Sequence, residues 1–219
     1  MSNANAGISV GGTRLIYNEK NREETIRINN MDENSPWLIQ SWVDNNGLKD
    51  DQKPDVKPPF LTSPPLFRLN GGTEYELRVL RTGGNLPKDR ESIFWLNIKS
   101  IPAKPKNNGS QNLLQFAVRT RIKLFFRPAA LTGESGEESQ KLTFSRKGNQ
   151  LRVDNPTGYF MTFSQLTLGG QAIDTTDVIV PPRGFAVYNV PKNVQSKAVT
   201  WKVINDYGGL SAQQSGNAS

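Results

Sequence analysis

LLQFAVRTRIKLFFRP, residues 113–128, decides how the rest of this chain reads. One parity is almost wholly apolar: Leu114, Phe116, Val118, Thr120, Ile122, Leu124 and Phe126. The other carries Gln115, Ala117, Arg119, Arg121 and Lys123. A two-residue period marks a strand, because successive side chains leave opposite faces. At about 3.3 Å per residue the run would exceed roughly 40 Å, longer than strands usually are. A strand of that length cannot bury its whole apolar face in one small sandwich, so part of it is expected to face something else.

Composition narrows the chemistry before any motif is considered. The 219 residues suffice for one large or two ordinary domains. There is no cysteine and no histidine. Disulfides, thiol nucleophiles, zinc ligation and an imidazole base are excluded together. No Gly-rich phosphate loop follows a strand. Paired carboxylates stand only in loop-like stretches, at Glu137-Glu138 and Asp50-Asp51. The expectation is a protein that is not an enzyme, with no catalytic residue, no metal and no cofactor. A net charge of +7 invites acidic partners. The basic residues are scattered, however, and no run exceeds two, unlike a nucleic-acid groove. No apolar run approaches a membrane-spanning length, so direct membrane insertion is not expected. The first residues, MSNANAG, lack the apolar segment of a signal peptide. They fit either a cytoplasmic protein or a mature form with residues appended.

Outward from the long run the chain alternates throughout. Strands are expected over 13–17, 24–29, 37–44, 67–69, 74–80 and 93–100. Proline pairs at 58–59 and 64–65 make 60–63 an extended edge segment. The one helical turn is expected in LPKDRES, 86–92. About seven turn-punctuated strands with almost no helical period imply an antiparallel immunoglobulin-like sandwich. After Pro128 the acidic, Gly/Ser-rich TGESGEESQ reads as a boundary loop. Strand patterns then resume over 141–145, 151–155, 160–168, 185–189 and 199–204, a second and smaller all-β domain.

Five blocks carry a family resemblance: TRLIY (13–17), LPKDRESIFWLNIKSIP (86–102), RIKLFFRPAAL (121–131), NPTGYF (155–160) and INDYGGL (204–210). From Gly7 to Leu210 the chain resembles the PapD-like periplasmic pilus (fimbrial) assembly chaperones. DENSPWLIQSWV, 32–43, is most similar to the type 1 pilus branch. The short loop 101–111 and the lack of a cysteine pair resemble the short-loop subgroup. The resemblance implies an all-β chain of two immunoglobulin-like β-sandwich domains, arranged in an L with an interdomain cleft. The N-terminal domain is expected over 7–130 with the long donor edge strand, and the C-terminal domain over 131–210. Residues 1–6 and 211–219 are expected to be disordered or appended.

What the resemblance implies for function is donor-strand complementation. Pilus subunits lack their last strand, and the chaperone lends its own to the open groove, which is a form of β-augmentation. Leu114, Phe116, Val118 and Thr120 fall on the groove-plugging positions, with Ile122, Leu124 and Phe126 left for the chaperone's own core. By periodicity alone the entire face could equally be core. Arg14 and Lys123 match the pair that grips the subunit's C-terminal carboxylate; as isolated residues they read as solvated charges. Glu91, Arg127 and Asp206 match the interdomain ionic cluster, although by sequence alone they could be surface ion pairs. The implied partners are pilus subunits, bound one to one, and an outer-membrane usher; no nucleic acid is expected. The implied compartment is the periplasm. The alternative is a two-domain immunoglobulin-like adhesin or pilus structural protein, against which stands the single-domain, disulfide-bearing build of pilus subunits.

Overall fold

Among the described residues the strands form four sheets, two in each of two units. The structure is a computed structural model, and it describes residues 7–45, 57–103, 116–192 and 194–219. Met1–Asn85 with Ile93–Phe126 form the first unit, and Leu86–Ser92 with Arg127–Ser219 form the second. The all-β, two-domain immunoglobulin-like reading holds.

In the first unit one sheet runs β1 (Ile8–Val10), β3 (Glu23–Asn30), β7 (Glu74–Arg81), β5 (Phe60–Ser63). The other runs β2 (Arg14–Asn18), β9 (Val118–Arg127), β8 (Ser92–Pro102), β4 (Trp37–Asp44), β6 (Leu66–Leu69). The chain changes sheets between β1 and β2 at Gly11-Gly12. A Cβ on Gly11 would stand 3.2 Å from Arg27 Cβ and from its carbonyl oxygen, a tight approach that favours glycine. Alternation delivers the core as expected: Ile26 and Ile28 from β3, Leu77 and Val79 from β7, Leu96 and Ile98 from β8, Leu124 and Phe126 from β9. Tyr17 and Phe94 each meet Phe60 edge-on, with ring centroids 5.1 and 5.0 Å away, and bind the two sheets together.

β9 is ten residues long and β2 is five, so β2 flanks at most half of it. Burial along the strand is graded from exposed at Val118 to buried from Leu124 onward.

The second unit stacks β10 (Thr143–Lys147), β11 (Gln150–Asn155), β14 (Gly184–Asn189) on β13 (Gln171–Ala172), β12 (Phe163–Leu168), β15 (Ala198–Val203), β16 (Gln214–Asn217). Leu151, Met161, Leu168, Val199 and Trp201 form its centre, and Phe144 lies 4.6 Å from the Trp201 ring.

Three expectations fail locally. Residues 86–92 are not helical; they form bends and extended chain. The short helix α1 (Ser135–Glu138) and the 3-10 turn Ser139–Lys141 lie instead in the stretch read as a loop. Burial of Ser135 and Ser139, and donation of the Trp201 indole N–H to the Ser139 carbonyl at 3.1 Å, hold that turn in place. The tail 211–219 is ordered. β16 pairs with β15, Ala218 is buried, and Ser219 N–H donates to the Phe144 carbonyl at 3.0 Å. Backbone pairing, invisible in the polar composition QSGN, is what orders it.

Candidate functional site

The site is built on β9 and its neighbours, one face at a time. On the core parity Ile122, Leu124 and Phe126 are 5%, 0% and 1% exposed. Toward the N-terminal end the same parity emerges: Thr120 is partly buried, Val118 is 56% exposed and Phe116 69% exposed. Leu114 lies outside the described residues. Val118 opens β9 and Phe116 stands in the non-strand residues just before it; an exposed isopropyl and phenyl are costly in water, and an uncovered strand end is a template for pairing.

The opposite face carries Arg119, Arg121, Lys123 and Phe125. Arg119 is exposed and Lys123 partly buried. On β2, next to β9 in the sheet, Arg14 is buried, with its guanidinium 5.5 Å from the centroid of the buried Phe125 ring. Phe125 is two residues from Lys123 on the same face, so the structure brings the two predicted anchor cations to one region of one sheet.

Sequence reasoning missed what lies beside them. Arg121 Nη2 donates to Asp44 Oδ1 at 2.7 Å, and its guanidinium stacks 4.5 Å from the centroid of the buried Trp95 ring. Asn97 Nδ2 donates to the other Asp44 oxygen at 2.7 Å. Asp44 ends β4, so three strands are tied through one carboxylate. The available signal was an acidic residue closing the apolar strand WLIQSWVD.

The predicted ionic cluster also comes together, and all three members fall in the second unit. Arg127 Nη1 and Nη2 donate to Asp206 Oδ2 and Oδ1 at 2.6 and 2.8 Å. Its Nε donates to Glu91 Oε1 at 2.9 Å. The second Glu91 oxygen accepts from the Phe160 N–H at 2.9 Å, and Ser135 Oγ donates to Asp206. The Tyr159 ring lies 4.9 Å from the guanidinium carbon. Two carboxylates share one guanidinium, so the cluster carries a net negative charge in a dry place. Burial accordingly pushes the Glu91 carboxyl up, against the pull of Arg127. Asp206 is also pushed up by burial, but its hydrogen bonds from Arg127 and attraction to it outweigh that and hold it below the usual carboxylate range. Burial works against the Arg127 charge, and its hydrogen bonds to Asp206 and the two nearby carboxylates more than offset it.

The geometry supplies an apolar strand end, a cationic face and a buried ionic knot. Among the described residues no group of acidic side chains is placed to hold a metal ion.

Comparison with known proteins places this arrangement. Residues 7–132 match the family model described as pili and flagellar-assembly chaperone, PapD N-terminal domain, and residues 137–215 match pili assembly chaperone PapD, C-terminal domain. The chain is 40% identical over 215 residues to the chaperone protein FimC of Escherichia coli K12, covering 97% of this chain and 85% of that protein. Among solved structures, the E. coli chaperone DraB superposes with a TM-score of 0.84 at 36% identity, covering 98% of this chain and 97% of that one. A structure of the Salmonella enterica SafA pilin with the SafB chaperone matches with a TM-score of 0.84 at 33% identity, covering 99% and 98%.

Proposed function

The chain belongs to the PapD family of pilus-assembly chaperones, which are not enzymes, and from that premise we propose that it works in the periplasm by donor-strand complementation. It binds pilus subunits one to one, lends them the N-terminal part of β9, caps their assembly surfaces and delivers them to an outer-membrane usher. The observation that carries this reading is one apolar parity that is exposed at Phe116, two residues before β9, and at Val118, its first residue, and buried from Ile122 onward. Backbone hydrogen bonds along the lent strand give sequence-tolerant affinity, while Leu114, Phe116, Val118 and Thr120 fill successive groove pockets.

Arg14 and Lys123 anchor the subunit's terminal carboxylate. A carboxylate accepts charge-assisted hydrogen bonds from both, and removing one partner of such a desolvated set costs ~2–5 kcal/mol. Glu91, Arg127 and Asp206 form a cluster with a structural role, all within the second unit. They fasten into the second unit the residue that precedes β8 and the residue that ends β9.

Co-expression with a candidate pilus subunit tests the reading, wild type beside Arg14→Ala and Lys123→Ala. Wild type is expected to give a soluble one-to-one complex on a sizing column. Each variant is expected to fold and to bind about 30-fold or more weakly. Normal complex in both variants would remove the carboxylate anchor and leave strand donation standing.

A further inference from the structure

The outward face of the β10–β11–β14 sheet carries a cavity of about 470 Å3, wholly within the second unit. Thr143, Asp154 and Phe185, which face one another across the three strands, line it together with Arg152, Asn155 and Arg183. Most of these groups are engaged. Arg152 donates from Nε and Nη2 to Asp154 Oδ1 at 2.9 and 2.7 Å, and its guanidinium lies 3.7 Å from the Phe185 centroid. Asn155 is buried and donates to the Tyr159 and Pro181 carbonyls at 2.7 and 3.0 Å. Phe185, however, remains 50% exposed, and Arg183 makes no ion pair among the described residues.

Arg183 is held there in a strained backbone. It follows Pro181-Pro182 with a φ of 55°, in the left-handed region that glycine adopts freely and a long side chain resists. Its N–H donates to the Thr157 carbonyl at 3.0 Å and its guanidinium to the Pro156 carbonyl, so its positive charge meets only neutral acceptors. Asp89 feels that charge, but both of its oxygens are held by Arg90 at 3.1 Å. Strain that directs an unmatched cation beside a half-exposed ring points to a ligand. We propose that this cavity binds a carboxylate with hydrocarbon beside it, the carboxylate on Arg183 and the hydrocarbon on Phe185. A guanidinium also suits phosphate, but Asp154 in the same wall repels a dianion, and phosphate offers nothing to a phenyl ring. The carboxylate comes either from a free organic acid or from an acidic residue next to an aliphatic one on another protein's exposed segment.

Hexanoate and the capped peptide acetyl-Leu-Glu-Leu-amide stand for the two sources, each titrated into the isotope-labelled full chain with backbone amides followed by NMR. Either probe should shift the amides of 152–155 and 183–187, and hexanamide should bind about tenfold more weakly than hexanoate. Tighter binding of the peptide assigns the site to a partner protein, and tighter binding of hexanoate to a free acid. Arg183→Gly should lose both probes yet melt no lower than wild type, because glycine accepts the positive φ. Arg183→Lys, which keeps the charge without the fork, should retain part of the affinity. The proposal is overturned if both probes leave those amides unmoved, if inorganic phosphate binds as tightly as hexanoate, or if Arg183→Gly binds as wild type does. A lower melting temperature for Arg183→Gly would equally overturn it, since Arg183 would then be a structural tie to Pro156. Shifts confined to Arg14 and β9 would report the proposed anchor of the first unit, sinking this site and leaving that reading intact.

Discussion

Phe116 and Leu124 share one parity of one run, yet the first is largely in water and the second is sealed from it. Their substitutions should therefore separate function from stability. Phe116→Glu should leave the melting of the free protein within about 0.5 kcal/mol, as for a surface change, because the residue is largely in water. It should abolish complex formation, because a carboxylate cannot enter an apolar groove unpaired. Leu124→Ala should do the reverse in order of severity. Deleting a fully buried leucine costs about 2–5 kcal/mol, read as a lowered urea midpoint. Cooperative melting lost in Phe116→Glu would show that Phe116 is core after all.

Among the elements, those with a buried face were legible and those held only by backbone pairing were not. The alternation of ETIRIN, EYELRVL and RIKLFF corresponds to β3, β7 and β9 because one face of each is core. β1, β13 and β16 escaped notice: they are edge strands of three, two and four residues, too short for a period to stand out, and QA and QSGN hold no apolar alternation. Anchor and plug positions came from motif resemblance. The Asp44–Arg121–Asn97 tie did not, because three residues distant in sequence meet only when β4, β8 and β9 align. The ionic knot joins three further segments, and its two carboxylates should answer pH with opposite signs. Asp206 is held below its ordinary value of 3.8, so its contribution is present above that pH and lost as pH falls through the folded value. Glu91 is raised above 4.5, so its contribution is present below that pH and lost as pH rises through the folded value. Urea unfolding from neutral to acid pH should find that the cost of Asp206→Asn, about 3–5 kcal/mol when full, shrinks toward acid. The cost of Glu91→Gln should grow. Parallel slopes for the two variants would contradict this assignment.

At the level of the whole molecule, the units do not follow a single cut in the chain. Leu86–Ser92 lies between two strands of the first unit and belongs to the second, where Glu91 N–H donates to the Gly158 carbonyl at 2.8 Å. A fragment beginning at residue 131 would lack both Glu91 and Arg127, leaving Asp206 buried without its cation and the Phe160 N–H without its acceptor. Such a fragment should unfold at lower urea than one beginning at Arg127 to which the 86–92 peptide is added back; equal midpoints would show the knot to be dispensable. The grading of burial along β9 has a consequence for how such proteins diversify. Phe116 and Val118 are more exposed than buried, so selection can alter them to suit a new client at little cost to the fold. Ile122, Leu124 and Phe126 have no such licence. One strand thus holds a variable address and an invariant foundation, and lineages can exchange the first while inheriting the second.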